Sequence, residues 1–129
     1  GLTTGEPWIM VNPNYTDINA AQQLADPHSV FRYYQHLIAL RREHPVIVYG
    51  DFGMVLAEHP QIFAYTRTYQ GATLLVLLNF SSDDAFAGAV TQEVQAESGR
   101  VLIGNYHDRT QVTLADVTLR LWEALVLAL

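Results

Sequence analysis

The chain has 129 residues, half of them hydrophobic, which is enough for one domain with an attached arm and a core that needs no disulfide or metal support. It has no cysteine, which excludes a disulfide framework and a thiolate metal site and suits a reducing, cytoplasmic setting. Its net charge is −6, and its seven basic residues are arginines scattered along the chain apart from Arg41–Arg42, so no basic stripe exists to meet a nucleic acid or an anionic membrane.

Residues 1–25 are expected to be loop, because Gly5, Pro7, Asn12, Pro13 and Asn14 interrupt every regular pattern. The same stretch carries Trp8, Ile9, Met10, Val11 and Tyr15, an apolar load that predicts packing against something. The opening Gly-Leu-Thr-Thr-Gly, without an initiator methionine or a signal peptide, predicts a segment from within a longer chain. A helix is expected next, with Asp26 as N-cap, Pro27 at its first position, Arg41, Arg42 and His44 in its last turn and Pro45 as its stop. At about 100° per residue, Val30, Phe31, Tyr33, Tyr34, Leu37, Ile38 and Leu40 spread over roughly half the wheel. A helix lying on one surface needs a narrower stripe, so this helix is expected to be covered from two sides.

After Pro45 the period changes to two. Val46–Tyr49 and Met54–Leu56 read as short strands around Gly50, Asp51 and Gly53. Gln61–Tyr69 alternates, Gln70-Gly71 signals a turn, and the almost wholly apolar Thr73–Phe80 predicts a central strand covered on both faces. Ala85–Val90, Arg100–Ile103, Gln111–Leu114, Val117–Leu121 and Leu125–Leu129 complete a set that indicates an antiparallel sandwich or barrel. Leu74, Val76 and Leu78, with Leu75 or Leu77, are expected in its core, and Phe63, Leu119 and Val126 largely buried. No run approaches the roughly 18–20 apolar residues of a spanning helix.

No constellation for chemistry emerges. His28, His36 and His44 recur every eight residues and drift around the helix, while His59 and His107 fall in turns, so no metal-ligand cluster is expected. Ser81, Ser82, Asp83 and Asp84 read as a solvated turn, and no nucleophile elbow joins them to His59. Glycosidic hydrolysis needs two convergent carboxyl groups, but Asp51, Glu58, Asp108 and Asp116 read as turn or loop-tip acids. No phosphate-binding glycine loop is present, and no catalytic, cofactor-binding or metal-binding residue is assigned.

Several stretches nevertheless resemble one enzyme family in order and spacing. They are Leu2-Thr-Thr-Gly-Glu-Pro-Trp-Ile9, Val11-Asn-Pro-Asn-Tyr15, Ile18-Asn19, Asp26-Pro-His-Ser-Val-Phe-Arg-Tyr-Tyr34 and Leu37-Ile-Ala-Leu-Arg-Arg42. Val46-Ile-Val-Tyr-Gly50, Ile62-Phe-Ala-Tyr-Thr-Arg67 and Leu75-Val-Leu-Leu-Asn-Phe80 continue the series, with a weaker echo in Asn105-Tyr106 and Leu119–Leu129. Together they resemble the C-terminal end of the α-glucosidases of glycoside hydrolase family 13, in the branch of oligo-1,6-glucosidases, sucrose isomerases and trehalose-6-phosphate hydrolases. The resemblance implies a mainly β fold: an antiparallel β-sandwich of the family's domain C type over residues 46–129, preceded over residues 1–45 by a loop and the last helix of a (β/α)₈ barrel. It also implies that the retaining enzyme's catalytic Asp and Glu residues lie upstream, and that Trp8, Asn12, Asn14 and Tyr15 belong to a loop on the catalytic face.

The chain alone is therefore expected to be inactive and to serve by stabilising the missing barrel, its implied partner. The alternative is a carbohydrate-binding sandwich using Tyr65, Tyr69, Tyr106 and Trp122 as a platform. Residues 1–45, deprived of the barrel, are expected to self-associate.

Overall fold

The computed structural model describes residues 4–129; Leu2 and Thr3 of the first resemblance motif lie outside the described residues. Two units are distinguished, one ending at His36 and the other spanning Leu37–Leu129.

The first unit is organised by side chains that bond to backbone. A 3₁₀ turn at Pro13–Thr16 is capped by Asn12, whose side chain accepts the Asn14 N–H. Helix α1, Ala20–Ala25, replaces part of the expected loop. Asn19 caps it by accepting the Gln22 N–H at 3.0 Å, and the Gln22 side chain in turn donates to the Thr16 carbonyl. The second helix, α2, runs over Val30–Glu43 and starts three residues later than Pro27 would place it. Asp26 ends α1 and its carboxylate accepts the His28 N–H, so it closes a turn instead of capping α2. Ser29 takes the capping role: its hydroxyl accepts the Arg32 N–H and donates to the Gln23 carbonyl at 2.6 Å. Trp8 and Met10 are 94% and 89% exposed, and Val30, Phe31 and Tyr34 are also exposed.

In the second unit, Pro45 both stops α2 and opens helix α3, Pro45–Tyr49, where the sequence predicts a strand. The β-branched Val46, Ile47 and Val48 favour extended backbone on their own, but proline at a helix's first turn loses no hydrogen bond. Burial of Val46 settles the competition. Gly50 follows at a point where a Cβ would strike the Val46 carbonyl oxygen.

Eight strands follow: β1 Asp51–Val55, β2 Ile62–Tyr69, β3 Ala72–Asn79, β4 Ala85–Phe86, β5 Ser98–Gly104, β6 Gln111–Thr113, β7 Thr118–Leu119 and β8 Ala124–Ala128. Six form one antiparallel sheet in the order β1-β2-β3-β8-β5-β6, and β4 pairs with β7 apart from it. The β2–β3 turn uses Gln70 and Gly71 at φ +49° and +83°, the left-handed pair that suits a two-residue hairpin. Expected strands at Ala85–Val90 and Val117–Leu121 shrink to two residues each: a 3₁₀ turn occupies Gly88–Gln92, and Leu121 enters the turn before β8.

One sheet face builds the core. Ala64, Leu75, Leu77, Leu125 and Leu127 pack with Ala85 and Leu119 of the two-stranded pair and with Val90 and Leu114 of the 3₁₀ turns. The register shifts between Val101 and Ile103 of β5. Inserting Leu102 there turns Val101 toward the core with Leu127, while Ile103 pairs Val126 and lies with it in a groove on the opposite face. Strand β3 is covered on both faces as expected: Leu74, Leu75, Val76 and Leu77 are all buried. Three expectations fail on the outer face, where Phe63 is 41% exposed and Leu78 and Val126 are only half-buried. Phe63 pairs with Leu78 near one end of β2.

Candidate functional site

The densest polar cluster surrounds Glu123, which is 1% exposed at the entrance to β8. Arg120 donates to it three times: from its backbone N–H to Oε2 at 2.8 Å, from Nε to Oε2 at 3.2 Å and from Nη2 to Oε1 at 2.7 Å. Arg109 approaches Oε2 at 3.6 Å. The same Arg120 guanidinium forks onto Asp108 with two 2.8 Å bonds and lies 3.9 Å above the Tyr106 ring. Tyr106 donates its hydroxyl hydrogen to the Leu121 carbonyl, and Asn105 donates to the Trp122 carbonyl and accepts the Ala124 N–H. Buried Asn79 donates to the carbonyls of Asp83 and Arg120. All these bonds except that to Asp83 converge on residues 120–124, where Trp122 is held at φ +53°, a conformation costing a side-chain-bearing residue about 1–2 kcal/mol.

The electrostatics mark this cluster as a brace. Glu123 first and Asp108 second hold the Arg120 guanidinium above its ordinary pKa. The hydrogen bonds from Arg120 hold the Asp108 carboxyl below its ordinary range. A glycosidic acid must keep its proton, whereas Asp108 is biased toward the charged form and both acids share one guanidinium. Sequence reasoning placed Asp108 at a loop tip and missed Glu123. The available signal was a carboxylate directly before the apolar run of Ala124–Leu129.

The other candidates serve local structure. His59 accepts the N–H groups of Gln61 and Ile62 on Nδ1 and reaches the Phe86 carbonyl with Nε2. The Ser81 hydroxyl is bonded to Asn79, Gln61 and the Asp83 carbonyl. Among the described residues no three His, Cys, Asp or Glu side chains are grouped to hold a metal ion. The four proposed platform rings are dispersed. Tyr65 tilts against Phe52 and Phe63, Tyr69 against Tyr49, Tyr106 lies under Arg120, and Trp122 stands in the turn before β8.

A second feature lies within the larger unit, on the outer face of the sheet. There a groove of about 650 Å³ runs between Leu37, Leu40 and Ile47 of the helices and Phe52, Tyr65 and Val76 of the strands. Arg67 projects into it from β2, paired across the sheet with Phe52 and Leu74. Its Nη2 reaches the carbonyls of Ile47 and Val48 at 3.4 Å each, while its buried Nε has no hydrogen-bond partner among the described residues. A buried donor left without a partner costs about 1–3 kcal/mol, and more on a charged group.

Comparison with known proteins assigns the lineage. The α-amylase catalytic-domain family matches residues 1–50. The oligo-1,6-glucosidase of Halalkalibacterium halodurans is 43% identical over 131 residues, which covers 98% of this chain and 22% of the relative. The palatinase of Erwinia rhapontici is 47% identical over 112 residues, 87% of this chain and 20% of the relative.

The chain is similar to α-amylase-family enzymes.

Among solved structures, the trehalose-6-phosphate hydrolase of Bacillus licheniformis superposes with a TM-score of 0.88 at 33% identity, covering 99% of this chain and 23% of that one. The chain thus spans about a fifth to a quarter of the length of the relatives it matches. The catalytic-domain match ends at residue 50, and the first strand begins at Asp51. All eight strands therefore lie beyond the matched catalytic domain.

Proposed function

We propose that this chain is the non-catalytic C-terminal segment of a retaining α-glucosidase that acts on α-glucosidic bonds of small sugars. Residues 1–45 complete the catalytic barrel, and residues 46–129 form the β-sandwich known in this family as domain C, whose role is to stabilise that barrel. The observation that carries the reading is the boundary at residue 50: a catalytic-domain match that stops where the strands start, in a chain about a quarter as long as its relatives. The braced Arg120–Glu123 cluster supports a structural role, since its groups are committed to one another. The absence of cysteine suits a cytoplasmic parent enzyme.

The test is enzymatic. The purified chain should not hydrolyse p-nitrophenyl α-glucoside, isomaltose or trehalose 6-phosphate. Turnover that co-purifies with the polypeptide through successive columns and disappears with its removal would overturn the reading.

A further inference from the structure

We infer that Arg67 is the docking point for a carboxylate carried by the upstream part of the catalytic barrel, an inference that rests on the proposed function above. Two guanidinium groups, Arg41 and Arg67, line the outer-face groove, and no acidic side chain lines it. That is unexpected in a chain with 13 acidic and 7 basic residues, where chance alone would favour an acid. Neither arginine has an ion-pair partner among the described residues. Arg67 is the more confined of the two, wedged between apolar neighbours with Nε unbonded and only two long contacts on Nη2. Those contacts do not fix its rotamer, so a small rotation presents the planar fork to an incoming carboxylate. The apolar surroundings of Phe52, Tyr65 and Leu74 would strengthen such a pair by lowering the local dielectric.

The occupant follows from the groove's walls. Leu37, Leu40 and Arg41 on one side belong to α2, which lies inside the stretch matched by the catalytic-domain family. The remainder of that domain, absent from this chain, is the body that α2 would adjoin. The groove therefore calls for an Asp or Glu on a catalytic-domain surface, flanked by apolar side chains.

The experiment places this chain in the H. halodurans oligo-1,6-glucosidase, in exchange for the segment that aligns with 98% of it. Thermal unfolding is then compared for the chimera and for the isolated chain, each with Arg67, Arg67→Met and Arg67→Lys. Arg67→Met should lower the melting temperature of the chimera by a few degrees and leave that of the isolated chain unchanged or raised, with Arg67→Lys between. The loss in the chimera should shrink as the pH falls below the ordinary carboxylate pKa of about 4, because protonation then removes the partner's charge. Equal shifts in both proteins, or a loss that ignores pH, would overturn the inference. So would a change in the sedimentation of the isolated chain on Arg67→Met, which would assign the groove to a second copy. An active chimera indifferent to Arg67→Met would refute this inference alone, whereas a chimera that cannot fold with Arg67 in place would refute the parent reading as well.

Discussion

Glu123 shows how a single buried carboxylate can govern a turn. It accepts the Arg120 N–H and two guanidinium donors, so its removal would free the residues that hold Trp122 at positive φ. Breaking a buried pair by deleting one partner costs about 3–5 kcal/mol, but Arg120 keeps Asp108 and is partly exposed. Glu123→Ala is therefore expected to cost about 2–3 kcal/mol in urea unfolding. Asp108 gives a second, pH-resolved check. Its carboxyl is depressed in the folded state by the hydrogen bonds from Arg120. Its contribution is thus present above the unfolded carboxyl pKa and lost as pH falls through the lower folded value. In Arg120→Leu, the carbon resonance of the Asp108 carboxyl should titrate back at the ordinary aspartate position; an unchanged midpoint would dissociate the two groups. Neither residue could be paired from sequence, because Asp108 and Arg120 lie 12 positions apart and meet only through the fold.

At the scale of elements, what the sequence disclosed depended on how local the deciding interaction is. The β2–β3 hairpin was legible because Gln70-Gly71 and the apolar run of β3 carry their own turn and burial signals. Helix α3 was not, because its β-branched residues favour a strand and only the tertiary burial of Val46 overrules them. The start of α2 was misplaced because Asp26-Pro27 and Ser29 both fit a cap, and the choice between them depends on a bond from Ser29 to Gln23 in the preceding helix. Asn19 followed by Gln22 did hold a readable capping signal for α1. The two faces of β3 supply a graded test. Leu77 lies in the inner core, so Leu77→Ala should cost about 2–5 kcal/mol, while Val76→Ala, beside the groove, should cost about 1–3 kcal/mol. A near-zero loss at Leu77 in denaturant titrations would mean that this core packs differently.

For the whole molecule, the exposed apolar side chains of residues 4–45 matter most. Trp8, Met10, Val30, Phe31 and Tyr34 are all open to solvent. Each side chain of this size left wet forgoes about 1.5–3 kcal/mol of burial. We expect the isolated chain to self-associate through residues 1–45, which sedimentation at several concentrations would reveal as a mass that rises with loading. A strictly monomeric chain with exchange-protected α2 amides would contradict this. The Arg120 brace and the inner core are predicted to be unaffected by that association, because both lie within Leu37–Leu129.

The position of β8 has a consequence for how the molecule is made. It is the last strand in the sequence, yet it lies between β3 and β5 and bonds to both. On the ribosome, β3 is complete at Asn79 and its partner begins only at Ala124. At ~5–20 residues per second the wait lasts several seconds. Throughout that interval the apolar edge of β3 faces the cell without its neighbour, a template for mispairing with other nascent chains. Premature termination between Thr113 and Ala124 would not trim the sheet but split it, leaving β1-β2-β3 and β5-β6 as two open-edged fragments. Translation pausing upstream of β8 should therefore mark the moment at which this protein is most in need of a chaperone.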